Sequence, residues 1–538
     1  MPWDNLKKPI SELDEKRIRF GEFYLTDSLY AIQIDDTEAK LICLGAGLVL
    51  KEVVENLDDH TFSYKLRFRT THGNKTAVVG KGSVTEKGLD ALKALGYSYL
   101  PKKEDTIVRY LLFCEETAKT VVESSFLGFR KNVFWGYPKE LEDKKLFRPS
   151  NSIKLQKSEH FHKEELNNLL SESPMLQLAV VAGASSATLG FLGQVEPLTT
   201  PIIHFFGDSS VGKTTGLVAA ASVWGKPDVE SGLLSTWNQT ELSLMQRLAN
   251  NFGVAVALDE SSICRFDLTS TIYNLSQGVN RQRLSKNAQP AATKQWLTTI
   301  LSSGESSLLE HTNQNSGLKA RVLEFDEPIT LSAEHSSEVK RFCRENYGHI
   351  GSMLASMLEH RTPEEMQKAF RKEMNGILTQ IPDEEFLPIT ERLAEIYAVF
   401  LVTARMLGTL GIDIDITEVS KLLLEQHSRL TQTFDLGEQV ADAICSRTVL
   451  KQSLYPNKDA IYDTTHVEGY RDGNKLILLA QTFDNILKEN NFSSRLVCLR
   501  ALEQNGVLLR QREDTFYAKR IIHNMPVKVL VLDINKMN

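Results

Sequence analysis

The sequence predicts a multidomain α/β protein with an α/β core near the middle of the chain. Two observations carry this prediction. An apolar run, Pro201–Phe206, leads into a glycine-bearing turn and a helical stretch, and a second apolar run, Phe252–Glu260, ends in two acids. Strands that alternate with helices are typical of a parallel sheet. With 538 residues the chain should hold roughly three or four domains. We place them at residues 1–150 (β-rich), 165–330 (α/β core), 331–450 (helical) and 470–535 (C-terminal domain).

The overall composition excludes several classes of protein. The net charge is −7, so any surface that binds nucleic acid must be local. The first residues lack the apolar centre of a signal peptide, and the longest apolar stretch, residues 175–192, is interrupted by glycine and serine. We therefore expect a soluble, cytoplasmic protein without a membrane partner. The six cysteines form no C-x-x-C pair, which argues against both a zinc site and a disulfide framework.

The first 150 residues are rich in short β-prone runs, such as Lys40–Leu50 and Ser63–Thr70. Two stretches, Lys87–Gly96 and Lys103–Thr120, look helical instead. The sequence of this region shows no carboxylate pair, Ser/His/Asp set or metal-ligand spacing that stands out. We therefore expect a non-catalytic module.

The turn after the first core strand, GDSSVGKT, fits the phosphate-binding pattern G-x-x-x-x-G-K-[ST] at every defined position. Backbone N–H groups of such a turn and of the following helix, here Thr215–Trp224, surround phosphates, while the lysine reaches the β and γ oxygens and the hydroxyl ligates Mg²⁺. A chance match in a Gly/Ser-rich turn is the alternative, and the flanking strand and helix disfavour it. We predict that ATP and Mg²⁺ are bound by Gly207, Ser209, Ser210, Val211, Gly212, Lys213, Thr214 and Thr215.

The second core strand, FGVAVALDE, places two acids at its carboxyl end, where α/β sheets bind ligands. Asp259 is predicted to bind Mg²⁺ together with Thr214, and Glu260 to polarise the attacking water. An ordinary acidic turn is the alternative. The position of Asp259, 46 residues after Lys213, favours the catalytic interpretation.

Two further polar residues follow or precede core strands. Ser302 ends the strand predicted at Trp296–Leu301 and is assigned to sensing the γ-phosphate, with an ordinary serine turn as the alternative. Arg321 precedes the strand Val322–Phe325, from which it could reach the γ-phosphate of a neighbouring subunit. A solvated surface arginine is the alternative for Arg321.

Cations without any acid mark the segment Ser276–Trp296 in a chain that is acidic overall. If this segment faces the inside of a ring, Arg281, Arg283 and Lys286 would contact the phosphates of a DNA strand. A charged loop that faces solvent is the rival interpretation.

The remainder of the chain is predicted to be mostly helical. Residues 336–360, 363–380, 383–410 and 417–435 form charged helices that we interpret as a lid or collar. The tail reads as helix 476–489, helix 493–504 and a hairpin of 507–512 with 516–522, which is the order of a winged helix. Its Arg495, Arg500 and Arg512 would contact DNA, although winged helices also dock proteins.

Taken in order, these motifs resemble a family of helicase-like proteins of phages and mobile elements that is catalogued as domain of unknown function 927. The resemblance covers about residues 20–330 and rests on Phe205–Thr215, Ser235–Thr240, Leu258–Glu260, Gln277–Gly278, Leu301–Glu305 and Gly317 with Arg321. The tail is similar to the winged-helix ends of phage primase–helicase proteins.

The resemblance implies an AAA+ ATPase core, related to minichromosome-maintenance and superfamily 3 helicases, that works as a homo-oligomeric ring. It assigns Lys213, Thr214, Asp259 and Glu260 to nucleotide chemistry, Ser302 or Ser303 to sensing, and Arg321 to the neighbouring site. A serine at the sensing position departs from superfamily 3, where an asparagine is usual.

Together these features predict an ATP- and Mg²⁺-dependent DNA helicase or translocase of a mobile element, acting with replication partners on single-stranded or duplex DNA. The alternative from another class is a nucleotide-switched assembly or defence protein whose tail docks a protein. A primase–helicase has less support, because the first 150 residues offer no pair of carboxylates on one strand.

Overall fold

A computed structural model describes residues 7–9, 18–20, 22–34, 39–279, 294–309, 316–387, 389–432, 436–463, 466–490, 492, 495–512, 515–522 and 525–537. The chain divides into two compact units. The first comprises Met1–Phe126 and Trp135–Ser152, and the second comprises Leu127–Phe134 and Ile153–Asn538. This is a mixed α/β multidomain fold with a parallel sheet and a helical region, as the sequence predicts.

The first unit is built from β-sheets and two helices. In chain order the strands of the first 150 residues are β1 (Lys7–Pro9), β2 (Ile18–Phe20), β3 (Phe23–Leu25), β4 (Ser28–Ile34), β5 (Ala39–Ala46), β6 (Leu48–Asn56), β7 (Thr61–Thr70), β8 (Gly73–Gly80), β9 (Lys119–Ser124), β10 (Leu127–Arg130), β11 (Val133–Trp135), β12 (Lys139–Glu140) and β13 (Leu146–Pro149). One sheet has the order β1-β5-β4-β3-β2, and the other has the order β12-β13-β9-β6-β7-β8. Helices α1 (Leu89–Ala94) and α2 (Glu104–Glu115) contribute leucines and Tyr110 to the core of this unit.

The second unit contains a five-stranded parallel sheet. Its strands are β14 (Ile202–Phe205), β15 (Leu234–Thr236), β17 (Val256–Asp259), β18 (Ile300–Ser303) and β19 (Val322–Phe325), and β16 (Asn251–Phe252) pairs with β10 outside this sheet. The order is β15-β17-β18-β14-β19. Every neighbouring pair in it is parallel. Strand β18 therefore lies between the strand before the glycine turn and the strand that ends in the two acids.

The second unit contains fourteen α-helices among the described residues, several of which surround one apolar helix. They are α3 (Lys163–Ser171), α4 (Pro174–Leu192), α5 (Lys213–Ser222), α6 (Glu241–Leu248), α7 (Leu268–Gln277), α8 (Ser316–Lys319), α9 (Ala333–Glu345), α10 (His349–Glu359), α11 (Pro363–Leu378), α12 (Thr390–Thr409), α13 (Ile416–Gln432), α14 (Leu436–Leu450), α15 (Ala480–Glu489) and α16 (Arg495–Gln504). Helix α4 begins where Ser173 Oγ accepts a hydrogen bond from the Leu176 N–H. Helices α5, α10, α11, α12 and α13 pack against α4.

Helix α4 is buried on all sides, which explains its composition. It is the one helix among the described residues that is long and apolar enough to cross a membrane, and the whole of its apolar window is buried in the protein. A helix that is hydrophobic around its full circumference needs neighbours on every side. Helices on both sides of it in the sequence, α3 and α5 as well as α10 to α13, supply these neighbours.

The predicted helices of residues 331–450 are present, but their boundaries differ. The single helix expected at 336–360 is two helices, α9 and α10, because Gly348 between them has a positive φ of 77°. Helix α14 shares a hydrophobic core with α15 and α16, through Val440, Ala441 and Ile444. The C-terminal core therefore begins before residue 450, where the sequence placed the end of the helical region.

The C-terminal core contains two helices followed by an antiparallel hairpin. The hairpin pairs β22 (Ala518–Ile522) with β23 (Met525–Asp533), and β20 (Gly469–Asp472) and β21 (Lys475–Leu479) complete the sheet. The expected hairpin of 507–512 with 516–522 is wrong in its strand pairing, because β22 pairs with the strand that follows it, β23. Residues 507–512 contribute only isolated bridges, such as Leu508 with Leu532.

We predict opposite effects of an added methyl group at two helical glycines. A Cβ at Gly183 in α4 would lie 2.5 Å from the carbonyl oxygen of Ala220 in α5, so Gly183→Ala should destabilise the second unit by about 1–3 kcal/mol. Gly376 in α11 has no atom within 4 Å of such a Cβ, so Gly376→Ala should stabilise by about 0.5–1 kcal/mol.

The measurement is urea unfolding followed by tryptophan fluorescence, since Trp224 and Trp237 are both buried in this unit. Equal midpoints for the two variants would contradict the close approach of α4 and α5.

Candidate nucleotide site

The glycine turn after β14 has a backbone that requires its glycines. Gly207 and Gly212 have φ angles of 118° and 86°, and Ser210 has 78°. A Cβ at Gly212 would also overlap the side chain of Thr330 and lie 3.0 Å from its backbone nitrogen. Positive φ and a close neighbour together leave glycine as the residue that fits position 212.

The turn leads directly into the N-terminus of α5. Gly212 provides no side-chain cap, and the first turn of α5 contains no acidic residue. The first N–H groups of a helix have no partner within the helix, and its dipole favours anions there. Lys213 adds a positive charge, and its ammonium group donates to the carbonyl oxygens of Gly207 and Asp208, each at 2.6 Å.

Three side chains meet at the carboxyl edge of the sheet: Thr214 from the first turn of α5, Asp259 from the end of β17 and Ser303 from the end of β18. Thr214 Oγ1 donates to Asp259 Oδ2 at 3.2 Å, and Ser303 Oγ donates to Asp259 Oδ1. The backbone N–H of Glu260 donates to Ser303 Oγ at 3.2 Å. Glu260 itself has a positive φ of 59° and an exposed side chain. A hydroxyl beside a carboxylate is a suitable ligand pair for Mg²⁺.

The structure corrects the expectation for Ser302. Successive residues of a strand point to opposite faces, and Ser302 points into the core, where its side chain is fully buried. Its Oγ lies 2.9 Å from His204 Nδ1 and accepts a hydrogen bond from Trp237 Nε1 at 3.0 Å. The neighbouring Ser303 is the serine that contacts Asp259.

Lys213, Thr214, Asp259, Glu260 and Ser303 line one cavity of about 450 Å³, whereas Ser302 does not. It brings together predicted residues from the glycine turn, from α5 and from the ends of β17 and β18. Its lining also includes residues of α9 that the sequence did not indicate, namely Ala333, Ser336, Ser337 and Lys340. Ser336 Oγ lies 2.7 Å from Thr215 Oγ1, which connects α9 to α5. No sequence motif marks this contribution, because α9 is distant in the chain and its serines lie in an ordinary charged helix.

ATP and Mg²⁺ fit this donor set. The cavity has the size of sites that bind small molecules, which is about 300–1,000 Å³. Phosphates would meet the free N–H groups of α5 and the Lys213 ammonium, and a divalent cation would meet Thr214 and Asp259. The residues present therefore match a nucleoside triphosphate with its metal.

Arg321 does not line this cavity. Its guanidinium donates to the Gly317 carbonyl oxygen and lies over the Tyr273 ring, 4.7 Å from the ring centre. Partial burial lowers the pKa of Arg321 from its usual value. The residue is therefore held by two contacts within its own chain, outside the site that its own chain forms.

Of the residues predicted to contact DNA, the structure describes those of the tail but not those of the basic segment. Arg281, Arg283 and Lys286 lie outside the described residues. On α16, Arg500 is exposed, while Arg495 forms an ion pair with Asp484 at 3.0 Å and lies over the Tyr517 ring. Arg512 is exposed, and its backbone forms an isolated antiparallel bridge with Thr515.

Comparison with known proteins gives one family and one full-length fold. The family model described as Domain of unknown function (DUF927) matches residues 27–295, which is half of the chain. The solved structure titled "SCCmec type IV Cch - active helicase" matches with a TM-score of 0.75 and 22% identity, over 96% of this chain and 98% of that one. This likeness shows a common fold.

Another solved structure overlaps at a level that does not establish a common fold. It is titled "The A form apo structure of NrS-1 C terminal region-CTR(305-718)". The TM-score is 0.29 and the identity 11%, over 89% of this chain and 96% of that chain. No curated protein matches the sequence.

Burial of His204 predicts a pH-dependent stability. Burial, reinforced by the charge of Lys213, lowers the pKa of the His204 imidazole to about 4 from 6.5. Below pH 6.5 the unfolded chain binds a proton at this imidazole and the folded chain does not, so stability falls as the pH decreases toward 4. Glu324 is the neighbour of His204 in register on β19, and Ser307 and Leu308 donate to its carboxylate.

We expect His204→Gln to remove this part of the pH dependence. The measurement is the thermal midpoint of each protein at about pH 7 and about pH 5, on either side of the usual histidine pKa. The wild type should lose more than the variant. Equal losses would show that His204 does not remain neutral in the folded protein.

Proposed function

Because the chain belongs to the DUF927 family, we propose that it is an ATP-dependent DNA helicase or translocase with an AAA+ core. One observation carries the proposal, which is the meeting of Thr214, Asp259 and Ser303 beside the glycine turn and Lys213. The strand order supports it, because β18 lies between the phosphate-loop strand and the acid-bearing strand and brings Ser303 to Asp259. The full-length fold match is to a protein titled an active helicase.

Five residues at the cavity have a chemical role in this proposal. The α5 N-terminus and Lys213 bind the β and γ phosphates, and Thr214 and Asp259 hold Mg²⁺, which supplies charge stabilisation for phosphoryl transfer. The exposed carboxylate of Glu260 orients and deprotonates water on the open side of the cavity. Ser303 fixes the Asp259 carboxylate.

The proposal extends to assembly and context. A homo-oligomeric ring would let Arg321 leave its contacts with Gly317 and Tyr273 and reach the γ-phosphate of the next subunit. Inside that ring the basic segment with Arg281, Arg283 and Lys286 would track a DNA strand, and the winged helix would hold duplex DNA through Arg500 and Arg512. The family resemblance points to a cytoplasmic role in replicating a mobile element, with further replication proteins as partners.

A nucleotide-switched assembly protein is the second candidate. It is favoured by the ion pair of Arg495 with Asp484, because a compensated arginine on α16 contributes less to binding DNA and is compatible with docking a protein. In that case ATP would control oligomerisation, and DNA would not change the rate of hydrolysis.

We predict that single-stranded DNA raises the ATPase rate several-fold. Lys213→Ala should abolish hydrolysis by removing the phosphate contact, and Glu260→Gln should abolish hydrolysis while retaining nucleotide binding. Reversal of Arg281, Arg283 and Lys286 to glutamate should remove the stimulation by DNA and leave the basal rate. The measurement is phosphate release with and without an oligonucleotide.

The outcomes separate the candidates. Hydrolysis that DNA does not change would support the switch. A wild type that neither binds nor hydrolyses ATP would refute both.

We also predict that two inactive variants restore activity when mixed. Arg321→Ala keeps its own phosphate loop, and Lys213→Ala keeps its arginine. In a mixed ring about a quarter of the sites combine the intact halves. Partial recovery of hydrolysis on mixing, with none in either protein alone, is the expected result. Full activity of Arg321→Ala alone would place this arginine outside the site.

A further inference from the structure

His204 is a buried imidazole beside the cavity that the proposed chemistry does not use. It lies in β14, immediately before the phosphate loop, and its side chain is completely buried. Its neighbours in register are Ser302 on β18 and Glu324 on β19. Two of these side chains bind the segment that follows β18: His204 through the Ser306 carbonyl oxygen, and Glu324 through the Ser307 hydroxyl. The Ser302 side chain binds the His204 ring.

The hydrogen bonds of His204 determine its tautomer. Nε2 lies 3.0 Å from the Ser306 carbonyl oxygen, which can only accept, so Nε2 carries the proton. Nδ1 of the neutral ring must then accept, and the Ser302 hydroxyl donates to it at 2.9 Å. Trp237 Nε1 donates to the oxygen of Ser302 at 3.0 Å. The chain of bonds has one consistent direction, from Trp237 to Ser306.

The segment that His204 holds carries the serine of the proposed metal site. Ser303 and Ser306 are separated by a short turn, in which the Gly304 N–H donates to the Phe205 carbonyl oxygen at 3.1 Å. A Cβ on Gly304 would overlap Ser261 Oγ and lie 3.1 Å from His204 Cε1, so the turn packs between Ser261 and the imidazole ring. Ser303 Oγ, at the start of this turn, donates to Asp259.

We propose that neutral His204 is a positioning residue for the metal site, acting through its hydrogen bond to Ser306. With this bond the turn stays against β14, and Ser303 keeps the Asp259 carboxylate directed at Thr214. Without it the turn shifts and the carboxylate loses its orientation. The proposal rests on the proposed function, because Asp259 and Thr214 hold Mg²⁺ only if the cavity binds a metal–nucleotide complex.

The test compares two neutral amides at position 204, each of which retains one bond. In His204→Gln the side-chain amide nitrogen replaces Nε2 and donates to Ser306. In His204→Asn the amide oxygen replaces Nδ1 and accepts from Ser302, but the contact with Ser306 is lost. Both substitutions bury an amide in the same place, so general destabilisation is common to the pair.

Two quantities are measured in the full chain, after thermal unfolding has shown that each variant is folded. They are the Mg²⁺ dependence of binding of a fluorescent ATP analogue and the Mg²⁺ dependence of ATP hydrolysis. For His204→Asn we expect about a tenfold higher half-saturating Mg²⁺ concentration in both, the lower end of the effect of losing a hydrogen-bond partner of a metal ligand, because Ser303 is displaced and not removed. His204→Gln should stay within about twofold of the wild type, and binding of the analogue in excess EDTA should be unchanged in both variants.

Gly304→Ala tests the same turn from the other side if the variants at position 204 do not fold. The added methyl group would overlap Ser261 Oγ and press on the His204 ring, so the turn must move and the Mg²⁺ requirement should rise as in His204→Asn. Equal Mg²⁺ requirements for the Asn and Gln variants, or a wild-type requirement in Gly304→Ala, would overturn this inference and leave the proposed function intact. A wild type without Mg²⁺-dependent nucleotide binding would overturn the proposed function and this inference with it.

Discussion

Parallel pairing of β14, β18 and β17 is the constraint on which the site depends. Neighbouring strands lie about 4.8 Å apart, so the phosphate-loop strand and the acid-bearing strand, with β18 between them, are about 10 Å apart. That separation leaves room for a phosphate and a metal between Lys213 and Glu260. The register Ala257 with Leu301 and Leu258 with Ser302 then sets Asp259 level with Ser303. A slip of one residue would direct Ser303 into the core and Ser302 to the cavity.

The phosphate loop is supported by residues far along the chain. The Ile329 N–H donates to the Val211 carbonyl oxygen at 2.8 Å, and Thr330 packs against Gly212. This support is itself connected to the helical region, because Arg429 in α13 forms ion pairs with Asp326 and Glu327 in the same segment. Helix α9 begins a few residues later and lines the cavity. The phosphate loop and the cavity are therefore linked by direct contacts to α9 and, through segment 326–330, to α13.

The sequence predicted the parts of the fold that local patterns encode. The apolar strands, the glycine turn and the acids of β17 were visible because each is a short motif with a defined period or spacing. Strand β19 was predicted with its observed ends, Val322–Phe325. The hairpin of the tail is predicted with the wrong pair of strands, because residues 507–512 are as β-prone as β22. Only the tertiary pairing of β22 with β23 shows which stretches form the hairpin. The contribution of α9 required tertiary packing that no motif records.

The two serines of β18 show the limit of sequence reasoning most clearly. Ser302 and Ser303 are chemically identical, and strand periodicity states only that they face opposite sides. The buried hydrogen-bond partners determine which serine faces the core and which faces the cavity. Ser302 satisfies the Nδ1 of His204 and the indole N–H of Trp237, two polar groups that would be costly to bury without partners. Because that requirement directs Ser302 toward His204 and Trp237, it directs the equally buried Ser303 toward Asp259 and the cavity, so the packing of a polar core sets the geometry of the proposed metal site.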